Sequence, residues 1–398
     1  MTVGQVGSTK ACKMLTIFRD NPSASLLAAC GGVYFVYYIS RIVKKPIIAC
    51  QDQRLLKFLK SHCPVIAEKY WPTWWCSESR LQTIFRAIFQ TSPPLAYNSE
   101  IIDTPDGGQI KLDWAENTGD HRYDDNLRPT VLILPGLTGC SNEPYILHMV
   151  HDAIDLGYRC VVFNYRGNGG AQLLTPRTYC AADTEDLELV VSHIKATRPD
   201  APVMGVGISL GGMILFNYLA KLGKDARLIA GMCVSVAWNV FESTLSLEQP
   251  LNCFLFNKRL ARLLTDTVKK NVKLFEKHYD MEHVLKSNTI RDFDERFTAK
   301  VFGFKSVDDY YKQASLHDKV HALKVPVLCL SAADDPFAPF HTIPLKDAEK
   351  NDNIAIVVPS CGGHIGFLEG WFPRHKTYMY RWFAQFVDAV FKHGVKND

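Results

Sequence analysis

The sequence holds no two cysteines at C-x-x-C spacing, although twelve cysteines run from Cys12 to Cys361. Zinc ribbons and thioredoxin-type redox sites therefore have nothing to be built from. There is no N-x-S/T sequon, because Pro22 blocks the one candidate at Asn21. H-E-x-x-H, Walker A and G-x-G-x-x-G are also missing; Gly167-Asn168-Gly169-Gly170 comes nearest to the last and has the wrong spacing. No metal or organic cofactor is expected. Most cysteines, such as Cys160, Cys233 and Cys329, lie inside apolar runs. They read as small buried thiols in a reducing, cytosol-facing body rather than as a disulfide framework.

Charge of one sign is scarce over most of the chain. The net charge is +4. Residues 1–100 carry 12 Lys/Arg against 5 Asp/Glu, and the other 298 carry 33 against 36. A body with no cationic excess has little with which to replace phosphate counterions, so nucleic acid is not an expected partner. What remains is ordinary globular composition, 47% hydrophobic over 398 residues, enough for one large domain with additions.

Residues 23–40, SASLLAACGGVYFVYYIS, carry no charge. Eighteen residues at about 1.5 Å each lie at the short end of a membrane-spanning helix. Tyr34, Tyr37 and Tyr38 suit an interfacial level. The run starts late and no A-x-A site follows, so an uncleaved single-pass anchor is expected in place of a signal peptide. Residues 1–22 form a tail before it. Lys10, Lys13 and Arg19 precede the run, and Arg41, Lys44, Lys45 and Arg54 follow it. Three cations against four leave the orientation open. Residues 41–99 are aromatic and basic, with Trp71, Trp74 and Trp75. Two readings stand side by side: a segment along the membrane surface, or an extension packed on the following domain.

From residue 100 to 398 the grammar changes. TVLILPG (130–136), RCVVFNYRG (159–167), PVMGVGIS (202–209), LIAGMCVSVA (228–237), PVLCLSA (326–332) and IAIVVPS (354–360) are short buried strands. Helical stretches near 144–156, 183–197, 211–222 and 376–393 alternate with them. This predicts an α/β fold, a mostly parallel doubly wound sheet. Residues 240–315 hold helical patterns and no convincing strand, which predicts a helical cap inserted between two strands.

Gly207-Ile208-Ser209-Leu210-Gly211 ends a strand and opens a helix. That is the setting of a nucleophile elbow, where glycines two residues either side of the serine relieve a tight turn. The following helix points its N-terminal N–H groups toward the serine oxygen. A serine needs a base. His364, in the glycine-rich Cys361–Phe367 loop after the last strand, is the candidate. His148, His151, His341 and His375 compete from less constrained segments. His393, five residues before Asp398, forms a weaker box at the chain end. The base needs an orienting carboxylate. Asp334 and Asp335 follow the strand PVLCLSA, and Asp334 is preferred with Asp335 as alternative. Oxyanion donors are expected from the backbone of Leu210 and of Leu137, in a loop that Gly136 opens.

The motifs PGLTG (135–139), FNYRG (163–167), LLTPRTYC (173–180), DTEDLE (183–188), GISLGGMIL (207–215), NVFESTLSLEQPLN (239–252) and GGHIGFLEG (362–370) occur together. As a set they resemble the membrane-anchored α/β-hydrolase domain-containing protein family, types one and three, and most closely the type three phospholipase. The likeness extends over most of the chain. It implies an α/β-hydrolase fold and a triad on Ser209, Asp334 and His364, the first aspartate of the pair being the family's choice. It further implies a type II anchor; the organelle is left open, an endomembrane such as the endoplasmic reticulum being one setting that fits. The implied activity is hydrolysis of phosphatidylcholine acyl esters of medium-length or truncated chains. One departure stands out: the Asn-Asn expected before Arg-Gly reads Asn164-Tyr165. The expected reaction is acyl-ester hydrolysis of a phospholipid drawn from the bilayer. Acyl transfer, thioester or neutral-lipid hydrolysis are the enzymatic alternatives, and a silent lipid-binding scaffold is the non-enzymatic one. No protein partner is indicated.

Overall fold

The structure is a computed structural model that describes residues 22–51, 54–116, 119 and 122–395. The cations Lys10, Lys13 and Arg19, the tail 1–21 and Asp398 lie outside the described residues. The chain divides into two units, residues 1–44 and 45–398. In the first, helix α1 (Pro22–Tyr37) runs on through a wider π-type turn at Tyr38–Ile42. Ser25–Ile42 is an apolar helical stretch of 18 residues, two residues later than the 23–40 expected. Leu26, Leu27, Val33 and Phe35 are all exposed on it. By length and composition this helix is apolar enough to cross a membrane.

The second unit is built on a nine-stranded sheet in the order β1-β9-β8-β7-β6-β4-β5-β3-β2. Its centre is the parallel set expected: β4 (Thr130–Leu134), β5 (Arg159–Asn164), β6 (Val203–Ile208), β7 (Ala230–Val234), β8 (Val327–Leu330) and β9 (Ile354–Val358). Every residue of these six strands is buried, which is why they read as unbroken apolar runs. β2 (Asn98–Asp103) and β3 (Gln109–Ala115) add an antiparallel edge beyond β5. β3, Gln-Ile-Lys-Leu-Asp-Trp-Ala, alternates polar and apolar residues as an edge strand does, while β2, Asn-Ser-Glu-Ile-Ile-Asp, shows no such period. The order reverses at β4, with β5 on one side and β6 on the other. Such a reversal opens a crevice at the carboxyl ends of the strands, where the loops after β4 and β6 meet.

Residues 45–51 and 54–91 pack on this body. β1 (Ile47–Ala49) pairs antiparallel with β9, Ile48 opposite Val357. Helix α2 (Arg54–His62) follows, and His62 stacks on His393 at 4.0 Å. Helix α3 (Ser79–Phe89) is capped by Glu78, whose carboxylate accepts from the Arg80 and Leu81 amides at 2.9 Å each. Tyr70, between them in the chain, is buried, packs its ring at a tilt against Tyr378 and donates to the Leu368 carbonyl at 2.9 Å. The structure shows this segment packed on the domain, which does not exclude contact of its outer face with a membrane surface.

The expected helices appear as α4 (Pro144–Asp155), α5 (Glu185–Thr197), α6 (Leu210–Leu222) and, last in the chain, Tyr378–His393. Among the described residues, 240–315 contain helices and turns and no strand. α7 (Val240–Glu248), α8 (Lys258–Lys270) and α9 (Val307–Ala314) are the longest pieces. This insertion has its own small core around Phe275, Phe293, Phe297 and Val268. Phe297 is fully buried, with its ring 5.0 Å from Phe275. Phe297→Ala is expected to lower unfolding stability by about 3–5 kcal/mol through the cavity it leaves, measured as a shift in the urea midpoint of the cap transition.

Candidate active site

β6 passes into α6 through a single residue. Ser209 takes φ +54° and ψ −118°, a conformation that L-residues avoid. The turn is tight enough that a Cβ on Gly207 would lie 2.4 Å from the Gly211 carbonyl oxygen. A Cβ on Gly211 would lie 2.2 Å from the Leu134 carbonyl oxygen. Both obstacles are backbone and cannot swing away, so glycine is required at each position. The result lifts Ser209 Oγ out of the sheet at the N-terminus of α6.

His364 Nε2 lies 2.9 Å from Ser209 Oγ, and His364 is buried. On its other side, Nδ1 lies 2.9 Å and 3.1 Å from the two carboxylate oxygens of Asp335. The expectation of Asp334 as the carboxylate beside the base is therefore corrected to Asp335. Successive residues of this turn point to opposite sides. Asp335 faces the imidazole and also accepts from the Phe337 amide at 2.7 Å. Asp334 turns away and accepts from the Gly363 amide at 2.9 Å. Burial pushes the Asp334 carboxyl up to about 7, against the lowering by that amide. Phe337 stacks on the imidazole at 4.0 Å and fixes its plane.

The histidine loop is seated on α3. Thr83 Oγ1 accepts from the His364 amide at 2.9 Å and donates to the Ser79 carbonyl at 2.8 Å. A Cβ on Gly363 would lie 2.2 Å from the Ser79 carbonyl oxygen, so helix and loop are in direct contact. Ser235 Oγ accepts from the Ile365 amide at 3.1 Å. Gln82 Oε1 accepts from Leu368 at 3.0 Å. Thr83, Gln82 and Ser235 are not legible as site residues, since nothing local in the sequence links them to His364. The competing histidines are engaged elsewhere. His148 and His375 meet Thr91, His151 meets the Pro94 carbonyl, and His341 meets Glu242.

A cavity of about 430 Å³ opens over Ser209 and His364. α3 lines it with Ile84, Ala87 and Ile88, and the cap lines it with Leu255, Leu260 and Leu263. Asp294 of the cap also borders it, and burial pushes its carboxyl up to about 7. The wall is chiefly aliphatic and aromatic, suited to an apolar chain.

The sequence model of the alpha/beta hydrolase fold matches residues 129–370, from β4 through the histidine loop. The chain belongs to the α/β-hydrolase fold family. It is 50% identical to "Phospholipase ABHD3" of Homo sapiens over 95% of this chain and 92% of that protein. It is 37% identical to "Protein abhd-3.2" of Caenorhabditis elegans over 90% and 94% of the two chains. Identity to "Monoacylglycerol lipase ABHD2" of Homo sapiens is 29%, over 92% and 91%. The resemblance to the type three group thus holds.

In this α/β-hydrolase the loop after β4 is held by three tyrosine hydroxyls. Tyr145 accepts from the Gly136 amide at 2.8 Å, and Tyr179 accepts from the Thr138 amide at 3.2 Å. Tyr165 donates to the Pro135 carbonyl at 2.7 Å and stacks on Tyr179 at 4.5 Å. Tyr165 is the residue that departs from the Asn-Asn pattern, and it braces this loop. Thr138 is held at φ +61°. Leu137 and Leu210 both border the cavity beside Ser209. The amides either side of Leu137 are engaged, and Leu210 opens a helix, where an amide has no carbonyl four residues back. Both remain suited to bind an oxyanion.

Asp335→Asn is expected to lower kcat about 10³-fold or more, since the imidazole loses the partner that sets its tautomer. Asp334→Asn is expected to change kcat by less than about fivefold, because an amide oxygen still accepts from Gly363. Kinetics on any soluble ester separates the two. The raised Asp334 value stabilises the fold below its unfolded value near 4, and that stability is lost as pH rises through about 7. Asp334→Asn should therefore flatten stability against pH across that window, as read by urea unfolding. Thr83→Val is expected to lower kcat about tenfold with KM little changed, and Thr83→Ser to restore it.

Proposed function

We propose that the protein is a membrane-anchored serine hydrolase that cleaves acyl esters of phospholipids. The observation that carries this reading is the chain Ser209 Oγ–His364 Nε2–Asp335 at the floor of an apolar cavity. Ser209 attacks the ester carbonyl while His364 takes its proton. Asp335 holds the imidazole in the reactive tautomer and stabilises the imidazolium. The Leu137 and Leu210 amides receive the negative charge that develops on the carbonyl oxygen. His364 then protonates the leaving lysophospholipid alcohol, and water, activated by the same histidine, releases the fatty acid.

The substrate class rests on similarity to a protein named a phospholipase at 50% identity over nearly the whole chain. A cavity of about 430 Å³ is of the size that holds one small ligand or a medium-length acyl chain. Phosphatidylcholines with medium-length or truncated chains fit this best. The apolar helix suits a substrate that itself resides in a bilayer. A type II anchor in an endomembrane completes the reading. A second reading, hydrolysis of a neutral glyceride, draws on the 29% identity to a monoacylglycerol lipase.

The test uses detergent-solubilised full-length protein, defined phosphatidylcholines of short, medium and long chains, a monoacylglycerol, and Ser209→Ala beside the wild type. Fatty acid release from medium-chain phosphatidylcholine by the wild type alone is expected. Undiminished release by Ser209→Ala overturns the mechanism. Release from the glyceride alone, with Ser209 still labelled by a fluorophosphonate, transfers the enzyme to neutral lipids. Failure to label Ser209 returns it to a lipid-binding scaffold.

A further inference from the structure

Four of the seven tryptophans of the chain stand exposed; three of them meet, and the fourth, Trp71, is close to two of them in the chain. Trp71, Trp74 and Trp75 come from the segment before α3, and Trp371 from the loop after His364. Trp75 Nε1 donates to the Trp371 carbonyl at 2.8 Å, and the Trp74 and Trp371 rings meet edge-on at 6.1 Å. Phe372, 78% exposed, continues the cluster. The other three tryptophans, Trp114, Trp238 and Trp382, are buried.

The cluster is continuous with α3. Trp75 packs edge-on against Phe85 at 5.2 Å, and Phe85 against Phe89 at 4.9 Å. One face of α3, with Gln82 and Thr83, is buried against the histidine loop. Away from that face Leu81 and Ile88, and at the end of the helix Phe89, are about half exposed. Arg80 Nε donates to Asn252 Oδ1 at 2.8 Å and so joins this helix to the cap. There Leu251 and Phe254, the latter 74% exposed, extend the apolar surface. Single exposed apolar residues, such as Leu127 or Ile229, are ordinary for a soluble surface. A patch of this size is not.

Three features select its occupant. The residues are dominated by tryptophan, which favours the headgroup level of a bilayer because its ring is apolar and its N–H is polar. The patch borders the mouth of the cavity, since Ile88 is both half exposed and part of the cavity wall. Its rim is basic in balance: Lys69 and Arg374 flank it in the chain, while the nearby acids Glu78, Glu68 and Glu369 are paired with Arg80 and Arg381.

We infer that this face, from Trp71–Trp75 across α3 to Trp371–Phe372 and Phe254, is a bilayer-docking surface of the catalytic body, separate from the apolar N-terminal helix. It seats the cavity mouth on the lipid surface, so that an acyl chain passes from bilayer to Ser209 without crossing water. The inference concerns the surface only and holds whichever lipid ester is cleaved.

The tryptophans are their own probe. Full-length protein is placed in phosphatidylcholine nanodiscs with or without a phosphatidylcholine carrying a doxyl group near its headgroup. Intrinsic fluorescence is also titrated with iodide from the aqueous side. Docking predicts that the doxyl lipid quenches the exposed tryptophans and that iodide does not reach them. Fluorescence open to iodide and unaffected by doxyl overturns the inference. Shielding from iodide without doxyl quenching overturns it too, and assigns the face to a protein contact such as a second copy of the chain. Trp371→Ser with Phe372→Ser is then expected to reduce hydrolysis of nanodisc phospholipid at least tenfold relative to a soluble short-chain ester. An equal loss on both substrates counts against docking. Because the quenching needs no turnover, it stands apart from the assignment of the reaction.

Discussion

The conformation of one residue organises this molecule. Ser209 sits at φ +54° between a buried strand and a buried helix, and the backbone closes around it so tightly that Gly207 and Gly211 admit no side chain. The cost of the turn is offset by what it joins: β6 is fully buried in the sheet centre, and α6 is buried along most of its length. Because Gly211 rests on the Leu134 and Pro135 carbonyls, the elbow also sets the distance to the loop after β4. The nucleophile and the oxyanion loop are thus positioned by one contact.

Backbone strain is concentrated here. Among the described residues, non-glycine positions with φ above zero are Thr138, Ser209, Arg227, Ser235, Ile365 and Phe367. All but Arg227 belong to the elbow, the oxyanion loop, the histidine loop or the serine that bonds to it. Each is held by tertiary hydrogen bonds or close packing, such as Tyr179 on Thr138 and Ser235 on Ile365. Strain retained by surrounding structure keeps reacting groups in place before substrate arrives.

The region matched by the family model begins at residue 129, yet the site does not. Thr83 and Gln82 of α3 bind the backbone on both sides of the histidine turn, and Ile84, Ala87 and Ile88 complete the cavity wall. The segment after the apolar helix is therefore part of the active domain rather than a tether. Its inner face serves the histidine and its outer face is left apolar. The same eleven-residue helix joins the catalytic loop to the surface beside the cavity mouth.

Local pattern determined much of this protein. Six apolar runs bounded by Gly and Pro specified six buried parallel strands, because burial on both faces removes any need for polar alternation. The elbow and the glycine-rich histidine loop were legible for a related reason: backbone crowding writes itself into the sequence as glycine. The long strandless interval likewise marked the cap. Tertiary structure decided the rest. Asp334 and Asp335 are adjacent and chemically identical, and only the turn between β8 and the cavity sends one to the imidazole and the other to Gly363. β1, three residues long, is a strand only because the edge of β9 is there to pair with it. Thr83 and His364 are far apart in the chain and meet through a threonine hydroxyl that carries no signature of its role. Sequence records what each residue demands of its own backbone; which distant group a side chain finds is settled only when the chain has packed.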